Sequence, residues 1–169
     1  MTALRIVFFG LLILALLGVG GVTLLVYMSR HGDAHGGLVE GRLQPCGVVP
    51  NCVCSEDWAA ANYPPVLLEG RALGWAWSDF KAAVVAAGGE VKEDSDGYLW
   101  ATFATPRLGF VDDFEARLDP GGEGQVPSIR LRSASRVGYS DFGTNRKRAD
   151  AVVGRFMAES GTRRGKGSP

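Results

Sequence analysis

Histidine is nearly missing from this chain. Both copies, His31 and His35, fall in its first quarter. No Ser-His-Asp or Cys-His arrangement is therefore available to anything downstream. Cysteine is scarce as well: Cys46, Cys52 and Cys54 are the only three, and no C-x-x-C occurs. That spacing argues against a dithiol redox centre. It also leaves a C-x5-C-x-C zinc site without a nearby fourth ligand, unless an upstream histidine folds back. Net charge is absent, because 18 basic and 18 acidic side chains cancel. A global basic field for nucleic acid is excluded. There is no G-x-S-x-G, H-E-x-x-H or G-x-x-x-x-G-K-[ST]. No cofactor and no metal are expected. The 24 glycines show no repeat period.

What the chain does have is a long uncharged run. Residues 6–28 carry no ionisable acid or base other than Tyr27. A helix rising about 1.5 Å per residue needs about 20 residues to cross the hydrocarbon core. The run lacks a polar face, which argues against a soluble core helix. It is longer than the apolar stretch of a cleaved signal and has no A-x-A site, so an uncleaved signal anchor over 1–28 is expected. Gly18, Gly20 and Gly21 do not form a clean G-x-x-x-G. Flanking charge barely sets orientation: Arg5 precedes the run, and Arg30 and Arg42 come after it beside Asp33 and Glu40. The three clustered cysteines favour an oxidising, periplasmic side for the domain beyond the run.

Residues 29–44 are Gly-rich and polar and read as a flexible tether. Within it, His31 and His35 read as solvated residues; a Gly-rich tether offers no helix to make them a metal pair. One domain of ordinary size then spans 45–160, with a basic, frayed tail over 161–169 that carries Arg163, Arg164 and Lys166. The stretch 45–55 predicts a compact turn. Residues 66–68 make a short strand. Ser78 caps a helix to Ala87, with Phe80, Ala83, Val84 and Ala87 on one apolar face and Gly88-Gly89 as its stop. Strands are expected over 90–93, 98–105, 110–118 and 128–136, and a final helix over 143–159. Short turns between four consecutive strands imply antiparallel pairing. The expected class is α+β: a two-layer sandwich with an antiparallel four- to five-stranded sheet, two helices on one face, and one N-terminal transmembrane helix before it.

The polar residues concentrate at the last two strands. Alternation puts Phe110, Asp112, Phe114, Ala116 and Leu118 on one face of the third, and Val111, Asp113, Glu115 and Arg117 on the other. Asp112 thus sits among apolar neighbours and needs donors or a cation. In the fourth strand Arg130, Arg132 and Arg136 share a face, so Asp113 and Glu115 can lie against Arg130 and Arg132. A polar turn, 137–143, then enters the last helix, whose free N–H groups attract anions. Two readings stand side by side. One is a pocket for an anionic group, drawn from Asp112, Asp113, Arg132, Ser133, Ser135, Arg136, Asp141, Asn145 and Arg146. The other is a structural network in which the aspartates tie the arginines together, with Ser140 or Asp141 capping the helix.

At these residues the chain resembles the domain-of-unknown-function family numbered 1499. The similarity rests on Pro45-Cys46 with Pro50-Asn51-Cys52-Val53, on Gly109-Phe110-Val111-Asp112-Asp113, and on Arg132-Ser133-Ala134-Ser135-Arg136-Val137-Gly138-Tyr139-Ser140-Asp141-Phe142-Gly143 with Asn145-Arg146. It covers about residues 43–159. The resemblance implies a domain often carried behind an anchor or export signal, with no assigned activity. It also implies a Cys46–Cys52 pair and leaves Cys54, where the family has serine, as the odd thiol.

Three functions are open to such a chain. The first is a membrane-tethered binding or interaction module, with the membrane as one partner and an anionic small molecule, lipid or envelope protein as another, and no nucleic acid. The second is a hydrolase or isomerase using Asp112 with Arg132 or Arg136. The third is a redox or metal module on the cysteines. Binding is preferred to catalysis. Trp58, Trp75, Trp77 and Trp100 suit core or membrane-interface packing better than a ligand pocket.

Overall fold

The computed structural model describes residues 2–56 and 61–165. In chain order the elements are α1 (Thr2–His31), β1 (Leu38–Val39), β2 (Arg42–Leu43), β3 (Cys52–Cys54), β4 (Val66–Leu67), α2 (Leu73–Ala86), β5 (Glu90–Ser95), β6 (Tyr98–Ala104), β7 (Val111–Asp119), β8 (Ser128–Ser135) and α3 (Thr144–Gly165). The expected Trp58 environment lies outside the described residues, as do the last residues of the expected tail, 166–169.

The α+β class holds. Strands β5 to β8 form the antiparallel meander. Asp96 and Gly97, both at positive φ, make the two-residue turn between β5 and β6 that an Asp-Gly hairpin favours. The sheet is larger than expected, at six strands in the order β3-β8-β7-β6-β5 with β4 also on β8. β4 is the short strand expected at 66–68, and the further strand, β3, comes from chain read as a turn. Residues 52–54 pair antiparallel with 132–134, because β8 would otherwise present an unpaired edge.

Alternation decides the two faces. Leu99, Ala101 and Phe103 of β6, Phe114 and Ala116 of β7, and Ile129 and Leu131 of β8 turn toward α2 and α3. There Phe80 meets both Phe114 and Phe156, with ring centroids 6.4 and 5.6 Å apart. Helix α2 starts five residues before Ser78, at Leu73, with Ala72 at its N-cap and no side-chain cap. Burial of Ala76 and Trp77 explains the longer helix: packing supplies what the cap does not. Helix α3 likewise continues to Gly165, past the expected boundary at 159.

The opposite sheet face departs most from expectation. Residues 29–44 are not a free tether. Ser29 is fully buried at the end of α1, and Leu43 is fully buried in β2. The segment between them lies across the sheet as a strap. Helix α1 itself is long and apolar enough to cross a membrane; apart from its last turn, its side chains are almost all exposed.

Candidate functional site

Acidic side chains on the outer face of β7 hold the strap. Asp113 accepts hydrogen bonds from the Ala34 N–H (2.6 Å), the Trp100 indole (2.8 Å) and Arg136 through both Nε and Nη2 (2.8 and 2.7 Å). Glu115, with no exposed surface, accepts from the Gly36 and Gly37 N–H groups, the Tyr98 hydroxyl and Arg132. The arginines reach on: Arg132 donates to the Ala34 carbonyl at 2.7 Å, and Arg136 to the Ser29 carbonyl at 3.1 Å. A Cβ on Gly36 would meet the end of the Gln44 side chain, whose Nε2 donates to the Gly36 carbonyl at 3.0 Å. His35 stacks on Trp100 with centroids 3.8 Å apart, and His31 stacks on Tyr27. Among the described residues no cluster of His, Cys, Asp or Glu is placed to hold a metal.

One expected pairing holds and the other is replaced. Glu115 faces Arg132 directly across the ladder, as anticipated, but Asp113 lies opposite Ala134 and takes Arg136 diagonally. Arg130 binds Asp119 and the Ser55 carbonyl instead. Arg117 makes a two-pronged contact with buried Glu56, at 2.8 and 2.6 Å. Nothing in the sequence pattern singled out Glu56; only its 1% exposure shows its role.

On the helix side, Asp112 has found a cation, Arg148, at 2.5 Å. Asn145 is fully buried. It accepts from Ser133 and Arg148 and donates to the Asn51 carbonyl and Ser135. Asp141 caps α3: its carboxylate accepts the Gly143 and Asn145 N–H groups, and its carbonyl accepts that of Thr144. The Gly143, Thr144 and Asn145 N–H groups at the site proposed for an anion are thus already used. Arg146 stays on the surface, bonded to the Asn62 carbonyl and over the Tyr63 ring. Of the nine predicted ligand residues, Asp113, Arg132 and Arg136 fall on one sheet face. Asp112, Ser133, Ser135, Asp141, Asn145 and Arg146 fall on the other side or at the start of α3. One common pocket does not contain them all.

Protonation is governed by the clamp. Burial by itself would push the Asp113 carboxyl up, but hydrogen bonds from Arg136, Ala34 and Trp100 outweigh it and hold the group below its ordinary value of 3.8. Asp119 is also lowered: burial opposes, and the Gly121 N–H with Arg117 and Arg130 prevails. A depressed carboxylate contributes stability above its unfolded pKa and loses it as pH falls through the folded one. The melting temperature should stay level down to about pH 5 and fall below about pH 4. In Asp113→Asn that fall should be shallower; identical acid limbs in a calorimetric pH series would remove Asp113 from the account.

The cysteines divide as the resemblance implied. Cys46 and Cys52 are bridged, with Cα atoms 5.6 Å apart, and Cys54 is free and buried. Closing so short a loop contributes roughly 2 kcal/mol in the chain-entropy picture. Burial pushes the Cys54 thiol above its ordinary value, which makes it a poor nucleophile at neutral pH.

A concave site does exist elsewhere. A groove of about 640 Å³ opens between the 105–110 loop and the 137–143 turn. Pro106, Leu108, Phe110, Val137 and Phe142 give it apolar walls, and Leu25 of α1 closes one side. Asp112, Ser135 and Asp141, three residues of the predicted set, contribute to its lining. Its volume is that of an ordinary small-molecule site. The 105–110 loop is fixed by a Thr105–Phe110 backbone pair and by the Thr105 hydroxyl. Gly109, at positive φ, receives Arg30 of α1 on its carbonyl and has no room for a Cβ beside that guanidinium.

Fold and site together define an α+β domain of one six-stranded sheet behind an apolar N-terminal helix, joined to that helix by hydrogen bonds at Ser29 and Arg30. The chain belongs to the family described as protein of unknown function, DUF1499, whose model matches residues 42–156. No curated protein and no solved structure matches it.

Proposed function

We propose that this protein is a single-span, membrane-anchored binding module whose domain lies on the extracytoplasmic side, and that its ligand is an amphiphile of the surrounding membrane, lipid in class. The observation that carries this reading is the groove, because its wall is shared between α1 and two loops of the domain. A lipid acyl chain matches its apolar walls. Ser135, Thr105 and Thr144 offer hydroxyls for a polar end. The disulfide supports an oxidising compartment. In this reading the arginine face is the clamp that presents the groove to the membrane, and Asp112 is a wall residue neutralised by Arg148.

The test is native mass spectrometry of the full chain released from mild detergent micelles. One phospholipid-sized adduct per chain is expected. Val137→Trp, which fills the groove, should lower its occupancy about tenfold, equivalent to about 1.4 kcal/mol. A lipid-free wild type, or an adduct indifferent to Val137→Trp, overturns the reading.

A further inference from the structure

The loops at one end of the sheet share a property that the binding reading does not use. Strand directions sort the connections into two sets. The turn at 96–97 and the 120–127 loop lie at one end. The 105–110 loop, the 136–143 turn and the 46–51 loop that enters β3 lie at the other, together with the end of α1. The far end exposes Asp94, Asp96, Glu123 and Gln125 beside two less exposed apolar side chains, Leu67 at 48% and Val126 at 42%. The near end shows Val48, Leu108, Tyr139 and Phe142 to solvent, at 103, 57, 74 and 90%. Phe142 does so from a positive φ of 51°, where a bulky side chain is strained. Folding normally hides such groups, and clustered apolar tips mark a contact surface.

Its level relative to the anchor is fixed. Arg30 donates to the Gly109 carbonyl, Ser29 Oγ accepts the Val111 N–H, and Arg136 donates to the Ser29 carbonyl. The domain therefore cannot swing away on a linker. Leu25, inside the apolar run, lines the same groove as Leu108 and Phe142. The 23-residue run rises about 35 Å, slightly more than the roughly 30 Å hydrocarbon core. Its last turn thus falls at the outer boundary, where Tyr27 is exposed on α1 and where tyrosine is enriched.

We infer that the domain is seated on the bilayer by this end, with Leu108, Tyr139 and Phe142 inserted among the lipids beside α1. Val48 on the disulfide loop extends the contact, and exposed Arg107 reaches the phosphate level. The occupant is the membrane that holds α1, because contact with it is continuous with the anchor. This seating goes beyond the groove reading and can stand without it.

The experiment uses the full chain in Cys54→Ser background, reconstituted into phosphatidylcholine–phosphatidylglycerol vesicles. Single cysteines replace Leu108, Phe142 and, at the far end, Glu123. Each carries an environment-sensitive fluorophore, attached without reductant so that the disulfide survives. All three positions are exposed, so the exchanges remove little packing. Labels at 108 and 142 should emit blue-shifted light and be quenched several-fold more than the label at 123 by lipids spin-labelled high on the acyl chain. Emission at water wavelengths from 108 and 142 overturns the seating. Equal quenching at all three positions overturns it too, as does a blue shift without lipid quenching, which would place the loops against protein. A bound lipid in the mass spectrum with water-level labels here would separate failure of the seating from failure of the groove reading.

Discussion

Glu115→Ala is expected to destabilise the domain by about 3–5 kcal/mol, the cost of breaking a buried ion pair from one side. Four groups depend on this carboxylate: Arg132, the Tyr98 hydroxyl and the N–H groups of Gly36 and Gly37. Desolvation and the Glu115 charge both push the Tyr98 hydroxyl far above its ordinary value, so it stays a donor and is orphaned by the change. Arg132, with 10% of its side chain exposed, keeps its charge with no carboxylate to balance it, only the Ala34 carbonyl. For a domain of this size the melting temperature should fall by about 15 °C or more. The strap should loosen with it, raising hydrogen exchange at Ala34, Gly36 and Gly37. Replacing both partners by apolar residues of similar volume, Glu115→Leu with Arg132→Met, should recover much of the loss, since no charge is then stranded. A ligand-binding arginine face predicts the reverse: stability nearly intact after Glu115→Ala.

Asn145→Ala should cost about 2–4 kcal/mol, because orphaned buried polar groups cost roughly 1–3 kcal/mol each. Asn145 ties three elements together: the Asn51 carbonyl before β3, Ser133 and Ser135 on β8, and Arg148 on α3. Its removal also loosens Arg148, which neutralises Asp112 on the groove wall. The neighbouring Arg146→Ala is the internal control. Arg146 is exposed and makes one carbonyl contact and one ring contact, so its loss should stay within about 1 kcal/mol. Urea midpoints of the two variants decide. Similar values for both would mean that Asn145 is not the structural hub its geometry describes.

These two residues show where reading the chain runs out. Asn145 and Arg146 are adjacent and polar, and sequence put both in one anion pocket. Helical geometry sends them to different surroundings, one into the interface with β8 and one outward. Asp113 and Glu115 are a similar case. A period of two places both on the outer face, but it cannot give register. Register puts Ala134 opposite Asp113, so its cation is Arg136. The strap was hidden by its glycines. Gly36 and Gly37 look like flexible linker, yet their bare N–H groups are what approach Glu115.

The uncharged run of α1, the α+β class and the inward and outward sets on β7 and β8 were settled by the sequence alone. Each depends on local periodicity or on the length of an apolar run, which neighbours along the chain decide. The six-stranded sheet, the Asp113–Arg136 pair, the strap between Ser29 and Leu43 and the groove against Leu25 were decided only by tertiary structure. They join residues tens of positions apart, as in Arg30 with Gly109 or Glu56 with Arg117. Such pairings are selected by the cost of leaving buried charges and backbone groups unpaired, and that cost exists only once the chain has folded.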